Sequence, residues 1–257
     1  MTKTAIVTGG AQGIGLASAE RLARDGIGRV YLIDVQRDRL DEAVGAVEAL
    51  GAEAHGLAID LSDAGTLIGE VDALVAGAGS VDILVNAAGS TARGGITDTT
   101  PETYDHLYAI NLRAPFFMMQ RVLPAMNKGG TIVNICSMLA YGGPPFLLGY
   151  SSTKAALVAL TRGVANTVKR QHIRVFGINL GWTWTPGEQE TQTKVHGLPD
   201  NWRDTVGAKQ PFGRLLMPED PANLIAFLVS DEASMMTGAV IDLDQFVAGT
   251  VDDNPGA

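Results

Sequence analysis

Cysteine is almost missing from this 257-residue chain: the single one, Cys136, rules out an intrachain disulfide and fits a reducing compartment. Positive charge is scarce too, with 19 Lys and Arg against 28 Asp and Glu and a formal net charge of −9. Nucleic acids and acidic membranes are recruited by basic patches, so this composition argues against both and favours small molecules as ligands. No apolar run reaches the ~20 residues that span a bilayer, because charges or helix breakers interrupt each one. Met1 leads into a strand-like stretch without the charged-then-apolar pattern of a secretion signal, and the expectation is a cytoplasmic protein that neither crosses nor coats a membrane. The four histidines, His55, His106, His172 and His196, are scattered without ligand spacing, so no metal site is expected. Internal repeats, low-complexity blocks and Gly/Ser linkers are absent as well, and residues 1–257 are read as one domain.

What the chain does have is alternation. Short β-branched runs bounded by turn residues lie at Thr4–Thr8, Arg29–Ile33, Ala54–Ile59, Val81–Val85, Thr131–Ile135, Ile173–Ile178 and Ala239–Leu243. Between them, helical spacing marks Leu16–Arg24, Arg37–Leu50, Pro101–Met126, Ser151–Arg170 and Pro218–Val229, with Thr100 and Pro101 placed as N-cap and first-turn residue of the third. Strands apolar at nearly every position are covered on both faces, and strand–helix alternation implies right-handed crossovers. The expectation is an α/β fold: a doubly wound, parallel, seven-stranded sheet flanked by helices. Residues 185–210 break the pattern, being polar, long for a connection and interrupted by Pro186 and Pro199. They suit a mobile lid over a substrate, or a surface excursion with a short helix.

Directly after the first strand comes Thr8-Gly9-Gly10-Ala11-Gln12-Gly13-Ile14-Gly15. Glycines there let the backbone turn sharply and approach a pyrophosphate, which the amides of the following helix can meet. Asp34, at the end of the second strand, is placed to accept both ribose hydroxyls of NAD and to repel the extra phosphate of NADP. Arg37 and Arg39 lie nearby and are the features that would suit that phosphate.

The fifth strand ends at Ser137, and a later helix begins Tyr150-Ser151-Ser152-Thr153-Lys154. One turn apart, Tyr150 and Lys154 share a helix face, so an ammonium can sit near the phenol and favour phenolate, bringing a poor base into range for proton transfer. Ser137 stands at the carboxyl end of the sheet, where open α/β folds bind ligands.

Taken together, the glycine loop, Asn86-Ala87-Ala88-Gly89, Ser137 and Tyr150…Lys154 resemble the short-chain dehydrogenase/reductase family over essentially the whole chain. The resemblance implies a Rossmann-type fold and an NAD-dependent oxidoreductase that interconverts a secondary alcohol, such as a sugar or polyol, and its carbonyl. By that resemblance Asn111, Ser137, Tyr150 and Lys154 are catalytic, with Asn111 kinking its helix and anchoring a water for proton relay. Cofactor contacts fall on Gly9, Gly13, Ile14, Gly15, Asp34, Asp60, Leu61, Asn86, Ala87, Gly89, Tyr150, Lys154, Gly181, Thr183 and Thr185. A homotetramer built on the Pro101–Met126 and Ser151–Arg170 helices is also implied, with Phe116, Phe117, Met118, Leu157 and Leu160 as its apolar residues. Two departures stand out: Leu180 replaces a usual proline, and Asp244-Gln245-Phe246 follows the last strand where small glycines are common.

Leu139, Pro145, Trp182 and His196 are candidates for the substrate pocket, and Gln189, Glu190, Gln192 and Asn201 would suit a sugar or polyol. Competing readings are an NADP-dependent 3-oxoacyl-thioester reductase, an NAD(H)-binding regulator without chemistry, and a methyltransferase. The first would favour NADP and basic docking residues, and the second has no need of all four catalytic positions. The third has no use for Ser137, Tyr150 and Lys154 at these spacings.

Overall fold

The computed structural model describes residues 2–250. Seven parallel strands run β1 (Thr4–Thr8), β2 (Arg29–Asp34), β3 (Glu53–Ala58), β4 (Val81–Asn86), β5 (Met126–Ile135), β6 (Arg174–Leu180) and β7 (Val240–Leu243). Their order across the sheet is β3-β2-β1-β4-β5-β6-β7, so the direction of winding reverses beside β1. That reversal opens a crevice between the loops leaving β1 and β4, the usual ligand position in such sheets.

Both faces are covered, which is why β1 and β6 are buried at every position. One core packs α1 (Gly13–Arg24), α2 (Arg37–Glu48) and α9 (Glu219–Val229) on the sheet, through Leu22, Leu40 and Ile225 against Val7, Leu32 and Phe176. The opposite core uses α3 (Ala64–Ala78), α5 (Ala114–Val122) and α6 (Leu148–Val168), through Val71, Met118 and Val168 against Ile6, Leu84 and Ile132. Met118 and Leu157, expected at a subunit interface, are instead taken up inside the chain, whereas Phe116 is exposed.

The expected single helix Pro101–Met126 is three pieces. It starts as α4 (Pro101–Tyr108), with Thr100 Oγ1 accepting from the Thr103 amide, widens into a π-turn at Ala109–Arg113, and resumes as α5. Pro115 has no amide to give the carbonyl four residues earlier, that of Asn111, and this favours the widened turn there. Residues 185–210 hold α7 (Pro186–Glu190), a π-turn at Thr191–Val195 and α8 (Trp202–Gly207). Among the described residues no helix is long and apolar enough to cross a membrane.

Candidate active site

The glycine loop is held from two sides. Thr8 Oγ1 accepts from the amides of Ala87 and Ala88 at 3.2 and 3.1 Å, which ties the loop to the Asn86–Gly89 turn. Gly9 has φ +68°, and a Cβ there would lie 2.9 Å from the Ala88 backbone, so only glycine fits this approach. No side chain caps the α1 N-terminus at Gln12, and its first-turn amides, from Gly13, Ile14 and Gly15, are left for a ligand anion. Across the loop stands Thr185, 3.2 Å from where a Gly13 side chain would begin.

Asp34 is buried at the carboxyl end of β2, where its carboxylate accepts from the amides of Ala11 (3.2 Å) and Gln36 (3.1 Å). Arg39 is already engaged: its guanidinium donates to Gln12 Oε1 and, at 2.6 Å, to Glu190 Oε1 on α7. Asp60 is exposed after β3 and spends its carboxylate on the amide and hydroxyl of Ser62, which hold it below the usual carboxylate range. Leu61 beside it is buried. The Asn86 amide donates to Asn134 Oδ1 (2.8 Å), so this side chain stitches β4 to β5 while its backbone leads into the turn.

Four side chains from three segments, the π-turn, the stretch just after β5, and α6, converge at the carboxyl ends of β4 and β5. Asn111, fully buried in the π-turn, accepts from the Ser90 amide and donates to the Ser90 carbonyl, both at 2.9 Å, and donates to Thr153 Oγ1 at 3.2 Å. A side chain on Gly89 would begin 3.6 Å from Asn111 Oδ1 and 3.8 Å from Lys154 Nζ, so Gly89 leaves room for that pair. Lys154 is 4% exposed and donates to the Ile135 carbonyl at 2.8 Å. Its Nζ lies 5.7 Å from the centroid of the Tyr150 ring. Ser137 is buried, its Oγ accepting from the Leu139 amide at 3.1 Å.

The electrostatics differ from the expectation that Lys154 draws the phenol down. Burial pushes Tyr150 up to about 12, opposed by the hydrogen-bonding Ser137 hydroxyl and reinforced by Cys136 and Glu188. Burial lowers Lys154 to about 8, because charging an ammonium away from water is unfavourable. With its proton directed at the Ile135 carbonyl, Lys154 does not offset the desolvation of the phenol. Burial also raises the Cys136 thiol to about 11, which leaves it protonated and unreactive at neutral pH.

Beyond β6, Gly181 packs so closely on Asp244 that any side chain would overlap its carboxylate. Thr183 is buried and donates to the Gly181 carbonyl at 3.0 Å, and Thr185 Oγ1 caps α7 by accepting from the Glu188 amide at 3.0 Å. Trp182 is exposed on one face, stacks on buried Trp202 with centroids 5.6 Å apart, and donates from Nε1 to Glu188 Oε1 at 2.8 Å. Leu139 flanks Ser137, while Pro145 is exposed on the loop before α6. His196 closes the π-turn of the 185–210 excursion, and among the described residues no hydrogen bond joins it to Ser137 or Tyr150. Glu188 was not singled out from sequence; nothing local distinguishes it from the neighbouring lid carboxylate Glu190.

Comparison with known proteins gives the class. A short-chain-dehydrogenase model described as enoyl-(acyl carrier protein) reductase matches residues 9–245. The 3-oxoacyl-(acyl-carrier-protein) reductase FabG of Thermotoga maritima is 32% identical over 244 residues, 94% of this chain and 96% of that protein. Among solved structures, L-sorbose reductase from Gluconobacter frateurii, complexed with NADPH and L-sorbose, superposes with a TM-score of 0.88 at 30% identity, covering 97% of each chain. An NAD+-bound xylitol dehydrogenase superposes with a TM-score of 0.84 at 29% identity, over 95% of this chain and 98% of that one. The chain belongs to the short-chain dehydrogenase/reductase family and is an oxidoreductase.

Proposed function

We propose that the protein is an NAD-dependent dehydrogenase that oxidises a secondary alcohol of the polyol or sugar type, and reduces the carbonyl in reverse. The observation that carries this reading is the convergence of Asn111, Ser137, Tyr150 and Lys154 beside the glycine loop. The cofactor fits the residues present: the uncapped α1 N-terminus and the Gly9–Gly15 turn suit its pyrophosphate, Thr185 stands across from Gly13, and Gly181 and Thr183, just before it in the chain, suit the nicotinamide half. When bound, it supplies the hydride acceptor. Ser137 would hold the substrate oxygen, Tyr150 Oη would take the hydroxyl proton, and Lys154, now bonded to the Ile135 carbonyl, would hold the nicotinamide ribose. Asn111 fixes the turn through which the proton leaves.

NAD is favoured over NADP by two features. The Asp34 carboxylate is fixed at the end of β2 by two backbone amides, where it meets ribose hydroxyls and opposes a phosphate. Arg39, one of the two cations near that position, is already paired with Glu190. L-sorbose and xylitol in the names of similar proteins support a polyhydroxylated substrate. The net charge of −9 disfavours docking of an acidic carrier protein. Residues 185–210 serve as a lid, and the single buried thiol fits a cytoplasmic location. The test is a spectrophotometric screen of polyols, aldoses, cyclic alcohols and 3-hydroxyacyl thioesters with NAD and NADP; faster turnover of the thioesters with NADP would replace this reading.

A further inference from the structure

The lid residues offered by sequence for recognising hydroxyls are mostly occupied. Gln189 accepts from Trp184 Nε1 (3.2 Å) and donates to the Asp200 carbonyl (3.3 Å), Glu190 is paired with Arg39, and Gln192 is buried and donates to Glu188. Asn201 is exposed at the start of α8. Glu188 is different. Its Oε1 accepts two hydrogen bonds at 2.8 Å, from Trp182 Nε1 and Gln192 Nε2. Both donors are neutral, Oε2 has no partner among the described residues, and no Lys, Arg or His forms an ion pair with it there. The carboxylate is therefore oriented but not neutralised.

Its position is fixed from both ends. The Glu188 amide donates to Thr185 Oγ1, and Thr185 packs against the glycine loop at Gly13. Trp182, which holds Oε1, leaves the end of β6 directly after Gly181 and is braced by Trp202. Glu188 is also near enough to Tyr150 for its charge to add to burial and Cys136 in raising the phenol.

We infer that Glu188 is the specificity-determining residue of the substrate cleft: Oε2 accepts a hydrogen bond from a second hydroxyl of a neutral polyol, and its charge excludes anionic substrates. This rests on the polyol reading of the site. A hydroxyl can donate to a carboxylate at little desolvation cost, whereas an alcohol with no second hydroxyl leaves that oxygen unserved and an aldonate meets a like charge. Sites that hydrogen-bond a substrate hydroxyl discriminate against analogues lacking it far more strongly than apolar pockets discriminate by size.

The experiment compares kcat/KM for the best polyol from the screen with cyclohexanol and gluconate, in wild type and Glu188→Gln. The amide oxygen can keep both bonds to Trp182 and Gln192 while the charge and the second acceptor are lost. Ratios between substrates cancel the amount of folded enzyme. The polyol-to-cyclohexanol ratio should fall by about tenfold or more, as expected for a hydrogen bond to a charged group, and the gluconate-to-polyol ratio should rise. The ascending limb of the pH profile with cyclohexanol should move to lower pH, which a purely structural role for Glu188 would not cause. If wild type prefers polyols and both ratios stay unchanged in Glu188→Gln, the assignment of Glu188 is overturned and the polyol reading stands. If wild type turns over no polyol better than cyclohexanol, the polyol reading fails and the inference with it.

Discussion

Lys154→Met should make the folded protein more stable at neutral pH while destroying its activity. The ammonium is 4% exposed and bonded to one carbonyl, that of Ile135. Its drop from 10.5 to about 8, at about 1.36 kcal/mol for each pH unit, means that the charged form costs the fold about 3 kcal/mol below pH 8. Methionine has a similar length and no charge, but leaves the Ile135 carbonyl without its donor, a loss of about 1–2 kcal/mol. The net gain is about 1–2 kcal/mol, or a rise in Tm of about 2–8 °C for a chain of this size. The pH dependence carries the sign. Because the folded value lies below the unfolded one, between about 8 and 10.5 the unfolded chain binds a proton that the folded chain does not, so wild-type stability rises with pH across that window. The advantage of Lys154→Met should therefore be full near pH 7, shrink above pH 8 and vanish by pH 10 or so. Thermal melts of both proteins without cofactor, at equal concentration from pH 7 to pH 10, provide the test. A variant less stable at pH 7, or a gap that ignores pH, would refute the claim that the site holds a buried charge against the preference of the fold.

Three other outcomes follow from the same geometry. Asp34→Ala should shift the NAD-to-NADP ratio of kcat/KM toward NADP by roughly tenfold to a hundredfold, the worth of one charged hydrogen-bonding group; a wild type that already prefers NADP would remove the assignment. Tyr150→Phe keeps the ring and deletes only the oxygen, so kcat should fall by about two to four decades while NAD binding, followed by fluorescence quenching, stays within severalfold; retention of most activity would end the proposed mechanism. Sedimentation at micromolar concentration should give a tetramer, with exposed Tyr104 and Phe116 on the α4–α5 surface at the interface, and a species that sediments only as monomer would count against it.

What was legible in the sequence was what is local. Strands buried on both faces read as apolar runs, and those positions agree with the sheet to within a residue or two, except that β5 begins at Met126. Its first residues, including exposed Asn127, Lys128 and Gly129, carry no such signal. The helix at Ala64–Ala78 escaped because Gly65, Gly69 and Gly77 blur its apolar spacing, although Asp63 caps it by accepting from the Gly65 and Thr66 amides. Tyr150 and Lys154 could be paired because one helical turn separates them; the state of the phenol could not be read, because burial by distant elements governs it. Long-range partners leave no periodicity either: Arg39 and Glu190 meet across 151 residues of sequence.

The residues after β7 show how such partners shape the site. In place of small glycines, Gln245 accepts from the Phe212 amide at 2.7 Å and donates to the Arg214 carbonyl at 2.6 Å, pinning the chain just beyond α8. Asp244 lies against Gly181, which explains why that position is glycine even without reference to a cofactor. At the near end, residues 182–184 are bonded to Leu216 in both directions, and Thr185 abuts the glycine loop. A segment anchored at both ends, as the proposed lid would be, can move only between them, and across that span the Arg39–Glu190 ion pair joins it to the glycine-loop side of the crevice. Glu188 sits between the near anchor and that pair, so opening of the proposed lid would displace the carboxylate proposed to read the substrate. On the proposed lid reading, release of product and loss of substrate recognition would be one motion, confined by the larger side chains after β7 to α7, the following π-turn and α8.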